Sequence, residues 1–293
     1  MVIATLIASD RIDARTIEQA CDAISGVGGI PGQIAWIEPD VAVDIPVLRV
    51  DGSAARAALE GLFPGVDVVV QPRAGREKRL IVADMDSTMI TIECIDELAD
   101  YAGIKAEVAD VTERAMRGEL DFEAALDARV ALLKGLDVAV IDRCYAERVR
   151  IMPGAQALVR TMTARGGRAV LVSGGFTVFA DRVAAEIGFD RAVSNILEVA
   201  GDVLAGTVAR PIVGAATKEA LLIVERDGLG LAPSAVLAVG DGANDIPMIQ
   251  AAGLGVAYHA KPRTAAAAAA RVEHGDLSAL LYAQGIAKAD WVL

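Results

Sequence analysis

Between residues 80 and 257 the chain repeats one pattern: a short run of apolar residues, a polar or glycine-rich turn, then a stretch with helical spacing. The runs stand at residues 80–83, 168–172, 236–239 and 254–257, and only the last lacks a following helical stretch. Unbroken apolar runs of this length suit strands covered on both faces. Strands alternating with helices predict a parallel, Rossmann-like α/β sheet whose ligand site lies outside the carboxyl ends of the strands. Residues 89–150 interrupt the rhythm with helical sequence and no convincing strand, so they are read as a helical cap inserted after the first strand. The alanine run at 265–270 favours helix and carries no chemistry.

Residues 1–72 follow a different order. Apolar runs at 2–7, 33–37, 41–48 and 66–70 predict strands, and 16–24 and 53–63 predict helices. The resulting βαββαβ order predicts a small α+β ferredoxin-like module. Residues 73–79 are polar and basic with Gly75, after Pro72, and mark a linker. The expected division is thus an amino-terminal module at 1–72, a linker at 73–79, a core built from 80–88 and 151–293, and the cap at 89–150.

Composition narrows the partners. Among 293 residues, 28 basic and 40 acidic side chains leave a net charge of −12, which repels nucleic-acid backbones and anionic membrane surfaces. An anionic small substrate would therefore need a local metal ion, a lysine or backbone amides. Cys21, Cys94 and Cys144 are odd in number and widely spaced, which points to reduced thiols in a cytosol. With only His259 and His274 present, a histidine-rich zinc site and a Ser-His-Asp triad are both poorly supplied. No apolar stretch reaches the roughly 20 residues of a membrane span, and no signal peptide is read.

Four motifs stand at the predicted strand ends. Asp84-Met85-Asp86-Ser87-Thr88 presents two carboxylates after residues 80–83. One can attack phosphorus, and the other can donate a proton to the leaving oxygen and later take one from water. Alone, such a pair also occurs by chance. Ser173-Gly174-Gly175 offers a hydroxyl and unencumbered amides for an anion, or is a plain turn. Lys218 falls in the first turn of a predicted helix, where the dipole disfavours it, although a solvated surface lysine is the bland reading. Gly240-Asp241-Gly242-Ala243-Asn244-Asp245 places two acids and an amide on a glycine turn that suits magnesium better than a twelve-residue calcium loop. A parallel sheet gathers all four at one edge, where they provide nucleophile, acid/base, phosphate cradle, cation and metal ligands.

In that order the motifs resemble those of the haloacid dehalogenase superfamily of aspartate-nucleophile phosphatases, and within it the phosphoserine phosphatases. The likeness extends over residues 78–285, through Glu93, the stretches 114–122 and 129–136, Val172 to Phe176, Val239 to Asp245 and His259-Ala260-Lys261-Pro262. The resemblance implies magnesium-dependent hydrolysis of O-phospho-L-serine, the last step of serine biosynthesis, through an aspartyl phosphate on Asp84 with Asp86 as acid/base. It places Mg2+ on the side chains of Asp84 and Asp241 and the carbonyl of Asp86, with Asp245 in support. Ser173, Gly174, Lys218 and Asn244, backed by Gly175, would surround the phosphate. Glu93 would take the substrate ammonium and Arg129 its carboxylate, and Met116 with Phe122 would form an apolar lid. Cys94 is read as a small apolar filler. Residues 1–72 resemble ACT-like amino-acid-binding modules, without the usual glycine in the turn 9–14, so a structural role or a homodimer contact stands beside effector binding. The expected protein is cytoplasmic and acts on a small phosphomonoester. A phosphatase for another phosphomonoester, and a non-catalytic phospho-receiver or amino-acid sensor, are the alternatives.

Overall fold

The computed structural model describes residues 1–117 and 119–293, excluding the side chain of Met116. The amino-terminal module runs β1 (Val2–Ala8), α1 (Ala14–Gly26), β2 (Ile30–Pro31), β3 (Ala35–Glu38), β4 (Ala42–Leu48), α2 (Gly52–Leu59) and β5 (Val66–Pro72). Its sheet has the order β2-β4-β1-β5, with β3 also paired to β4, and every pairing is antiparallel. Asp13 and Asp51 cap the helices by accepting the backbone N–H of Thr16 at 2.7 Å and of Ala54 at 2.8 Å, which satisfies donors that a helix leaves unpaired at its start. The second helix stops at Leu59 rather than at the expected residue 63, because Gly61 adopts φ 75° and turns the chain. Alternation along the strands divides the sheet's burial. Ala4, Leu6, Val68 and Val70 pack on the module's own helices, whereas Ile7, Ala42 and Val69 join the apolar cluster of the rest of the chain. Both faces are covered, so β1 and β5 read as nearly continuous apolar runs.

The remainder is an α/β unit around one parallel sheet. It begins with β6 (Leu80–Ala83) and passes into four helices, α3 (Cys94–Tyr101), α4 (Lys105–Met116), α5 (Phe122–Leu132) and α6 (Ala139–Arg148). The chain returns through α7 (Ala155–Ala164), β7 (Arg168–Phe176), α8 (Thr177–Ile187) and β8 (Arg191–Asn195), followed by a hairpin of β9 (Leu197–Ala200) and β10 (Val203–Val208). Then come α9 (Ala215–Gly228), β11 (Val236–Gly240), α10 (Ile246–Ala251), β12 (Leu254–Tyr258), α11 (Pro262–Ala267), β13 (Ala270–Val272) and α12 (Ala279–Ala283). The parallel sheet has the order β13-β12-β11-β6-β7-β8. With β6 between β11 and β7, the ends of all three strands meet, and that junction holds the four motifs.

Three features depart from the sequence reading. The helix expected through residue 270 ends at Ala267, and Ala270 opens a strand. Ala270 and Val272 are fully buried where β13 pairs with β12, so tertiary packing overrides alanine's helix preference. The β9–β10 hairpin leans on the inserted helices: Gly135 N–H donates to the Leu204 carbonyl at 2.9 Å, and Leu204 N–H donates to that of Leu136 at 2.8 Å. Finally, the polar composition of residues 73–79 conceals a buried side chain, Lys78, and a partly buried one, Arg76. Arg76 pairs with Asp44 and donates to Thr5 Oγ1 at 3.0 Å and to the Ala283 carbonyl at 3.2 Å. Lys78 Nζ donates to the carbonyls of Gly75 at 2.7 Å and Ser234 at 2.9 Å. Burial, then the charge of Arg76, pulls its pKa down to about 8. The segment is a clasp between the two sheets. Arg76→Met is expected to cost about 3 kcal/mol, because it leaves Asp44 buried without its counter-charge, and a lowered urea midpoint with an unchanged slope checks this.

Candidate active site

β6 delivers Asp84 to the sheet edge, where its N–H donates to the Val239 carbonyl at 3.0 Å and only 5% of its surface is exposed. Opposite stands Lys218, fully buried, with Nζ 2.6 Å from Asp84 Oδ1 and 2.6 Å from Asp245 Oδ1. Burial works against the ammonium, yet the carboxylates of Asp245 and Asp84 outweigh it and raise its pKa. This pairing explains a lysine in the first turn of α9: two fixed carboxylates outweigh the helix dipole. The Asp84 carboxyl is itself raised well above its ordinary range, by burial and then by the charge of Asp245, against the pull of Lys218.

Asp84, Asp241 and Asp245 each present a carboxylate oxygen, all within 4.8 Å of one another. Asp241 accepts from Thr88 Oγ1 at 3.3 Å, and its pKa is raised to about 6 by burial, then by Asp245 and Glu93. Asp245 Oδ2 accepts the Gly242 N–H at 3.0 Å. It lies so close to Gly240 that a Cβ there would stand 2.5 Å from it, which requires glycine at that position. Three carboxylates answered by one ammonium leave an excess of negative charge. An all-oxygen donor set of this kind fits a hard divalent cation such as Mg2+. The trio formed by side chains includes Asp245, which the sequence placed only in support, and does not include the side chain of Asp86.

Asp86 is the second unusual carboxyl. The thiol and N–H of Cys94 face it, and burial followed by the charge of Glu93 raises its pKa to about 7 despite them. Among the described residues its Oδ1 is buried with no hydrogen-bond partner. Cys94 itself is fully buried beside this carboxyl. Gly175 passes close by, and a Cβ there would lie 2.8 Å from Asp86 Oδ2. Its N–H donates to Ser173 Oγ at 2.8 Å. Ser173-Gly174-Gly175 belongs to the end of β7, with α8 starting only at Thr177, so the cradle is extended backbone rather than a helix start. Asn195, at the end of β8, fixes it by donating to the Gly174 carbonyl at 2.9 Å while accepting the Val213 N–H at 2.8 Å.

The inserted helices border the same place. Phe122, the first residue of α5, has its ring against Gly174 and Gly214, and Asn244 Nδ2 also borders Gly174. Glu93 accepts from Ser87 Oγ at 2.6 Å, and Ser87 is held at φ 57°. Arg129 is partly buried, and burial lowers its pKa while the charges of Asp96, Glu93 and Asp86 oppose the shift. The side chain of Met116 lies outside the described residues. The structure thus gathers Asp84, Asp86, Asp241, Asp245, Lys218, Ser173, Gly174, Gly175, Asn244 and Phe122, with Glu93 and Arg129 at the border. The sequence reading gives no role to Ser87, Asn195 or Gly214 and takes Cys94 as an apolar filler. Ser87 and Cys94 adjoin motif residues and were open to notice, whereas nothing near Asn195 or Gly214 in the chain signals their contacts.

Residues 81–250 match the model of the family described as "haloacid dehalogenase-like hydrolase". The phosphoserine phosphatase of a Polaromonas species is 49% identical over 208 residues, covering 69% of this chain and 88% of that protein. That of Streptomyces coelicolor is 46% identical over 255 residues, covering 85% of this chain and 62% of that protein. The unliganded crystal structure of a probable phosphoserine phosphatase from Vibrio cholerae superposes with a TM-score of 0.79 at 34% identity, covering 98% of this chain and 88% of that one.

Proposed function

The chain belongs to the haloacid dehalogenase-like hydrolase family, and we propose that it hydrolyses O-phospho-L-serine to L-serine and phosphate with Mg2+ as cofactor, closing serine biosynthesis in the cytoplasm. The observation that carries this reading is the fully buried Lys218 joining Asp84 to Asp245, with Asp241 within 4.8 Å of both. Such a cluster of acids has no structural use without a cation and an anion to neutralise it in turn. The serine specificity rests on the relatives and on two side chains bordering the site, Glu93 as an acid for the ammonium and Arg129 as a guanidinium fork for the carboxylate.

In this mechanism a carboxylate oxygen of Asp84 attacks phosphorus in line, forming the aspartyl phosphate as the bond to the serine oxygen breaks. Asp86, held near neutrality, gives its proton to that oxygen. The resulting carboxylate then takes a proton from the water that attacks phosphorus, and the bond to Asp84 breaks to release phosphate. Lys218 orients Asp84 and, with Ser173 Oγ, the Gly174 amide and Asn244, holds the phosphoryl oxygens. Mg2+, when held by Asp84, Asp241 and the Asp86 carbonyl with Asp245 in support, supplies neutralisation of the phosphoryl charge.

The division into a module at 1–72, a clasp at 73–79, a core at 80–88 with 151–293 and a cap at 89–150 belongs to this proposal, as does a homodimer contact through the module. No described helix is long and apolar enough to cross a membrane. Phosphate release from phosphoserine, with and without EDTA, tests the reading. Metal-dependent release is expected; absent release would favour a phospho-receiver or sensor, and EDTA-insensitive release would remove Mg2+ from the reading. A panel of other phosphomonoesters at equal concentration tests the substrate.

A further inference from the structure

We propose that Gly214 is a positioning residue for this reaction: with Gly174 it forms the seat into which the Phe122 ring closes, and the seat sets how tightly the cap grips the substrate. The proposal rests on the functional reading above and adds to it a specificity-determining residue outside the family motifs quoted earlier.

Two glycines from different elements face one ring. A Cβ at Gly174, at the end of β7, would stand 3.1 Å from Phe122 Cζ; one at Gly214, just ahead of α9, would stand 3.2 Å from Cδ1 and 3.4 Å from Cε1. Both distances are tighter than ordinary van der Waals contact. The backbone offers no other reason for glycine at position 214, since its φ of −120° and ψ of −163° are open to any residue. The missing side chain is therefore matched to the ring. The seat lies against the proposed reaction centre on both sides. Gly214's carbonyl accepts the N–H of Lys218 at 3.0 Å, and the position beside Gly174 is 3.9 Å from Asn244 Nδ2.

Phe122 and Arg129 share α5, so the depth at which the ring sits also sets the height of the guanidinium over the site. The same helix is drawn to the core by Arg210, which pairs with Asp127 and, at 3.6 Å, with Glu123. Those charges are largely exposed and weak, so the alignment rests on apolar contacts: Leu126 and Val130 anchor α5 in the core, and the seat fixes its first turn. A branched side chain at position 214 would lift the ring, α5 and Arg129 together. A substrate gripped by its amino and carboxyl groups would suffer, whereas one held only through its phosphate would not.

The test is a double-mutant cycle on the full chain with Mg2+, using phosphoserine and p-nitrophenyl phosphate. Gly214→Val is expected to raise KM for phosphoserine by about tenfold, the scale of overpacking a tight contact, and to lower kcat/KM for p-nitrophenyl phosphate by less than about threefold. Added to Phe122→Leu, which vacates part of the seat, Gly214→Val should raise KM by less than about threefold. Gly214→Ala repeats the cycle with a smaller step should the valine variant fold poorly by its thermal midpoint. Additive effects in the cycle, or an equal loss on both substrates, would overturn the seat. Wild-type protein that turns over p-nitrophenyl phosphate but not phosphoserine would instead sink the functional reading, and leaves the two failures distinguishable.

Discussion

Asp84→Asn is expected to lower turnover of phosphoserine on the order of 10⁵-fold, the scale seen when a covalent nucleophile is removed from a working constellation. The carboxamide keeps the shape of the side chain and cannot form the aspartyl (acyl) phosphate. The accompanying stability change separates this loss from misfolding. Asp84 sits buried beside Asp245 and Asp241, and its raised pKa means that the folded protein holds its charge at a cost. Removing that charge takes a repulsive group from the cluster, while Lys218 keeps its 2.6 Å contact with Asp245. The metal-free variant is therefore expected to unfold at a temperature equal to or above that of the metal-free parent while being inactive. Retention of more than about 1% of parental turnover would remove Asp84 from the nucleophile's role.

That argument was only half readable from the chain. The run at residues 80–83 is β6 to the residue, and 236–239 is β11 short of one glycine, because central parallel strands are apolar on both faces and announce themselves without partners. The edge strands hide. β8 is only half-buried along most of its length, β13 is three residues long and opens in an alanine run, and the β9–β10 hairpin owes its place to Gly135 and Leu136 in the turn between α5 and α6. The site divides along the same line. Asp84, Asp86, Asp241 and Asp245 stand in short local motifs. Lys218 shows in sequence only as a cation in an unfavourable helical position, and its reason, Asp84 and Asp245 on two other elements, exists only once the sheet has formed. Cys94 reads as apolar filler, and its place beside the Asp86 carboxyl exists only once the chain has folded. Asn195 joins the cradle to the Val213 loop through bonds to Gly174 and Val213, a function of topology that its neighbours in the chain do not share. Gly214 is silent for the same reason, since its partner is a ring on the cap.

The charge excess of the site makes the metal-free protein an acid-stabilised one. Asp86 is raised to about 7 and Asp241 to about 6, in each case chiefly by burial, and Asp84 moves in the same direction. A carboxyl whose folded pKa exceeds its unfolded value binds more protons when folded, so the slope of unfolding free energy against pH is negative between the two values. Stability is then fully present below the unfolded carboxylate pKa near 4 and is lost as pH rises to about 7. At about 1.4 kcal/mol per pH unit of displacement, this loss is on the order of 7 kcal/mol from Asp86 and Asp241 together. Lys218 stays charged across that window and so contributes no opposing slope. Chemical unfolding in EDTA at pH 4.5 and at pH 7.5 measures the difference. Millimolar Mg2+ at pH 7.5 should restore about 2.7 kcal/mol when present at 100 times its dissociation constant, and should restore much less at pH 4.5, where protons occupy the same oxygens. Equal stability at both pH values in EDTA would mean that the carboxylates relax apart when empty, and the preorganised charge cluster on which the catalytic argument depends would not exist in the free protein.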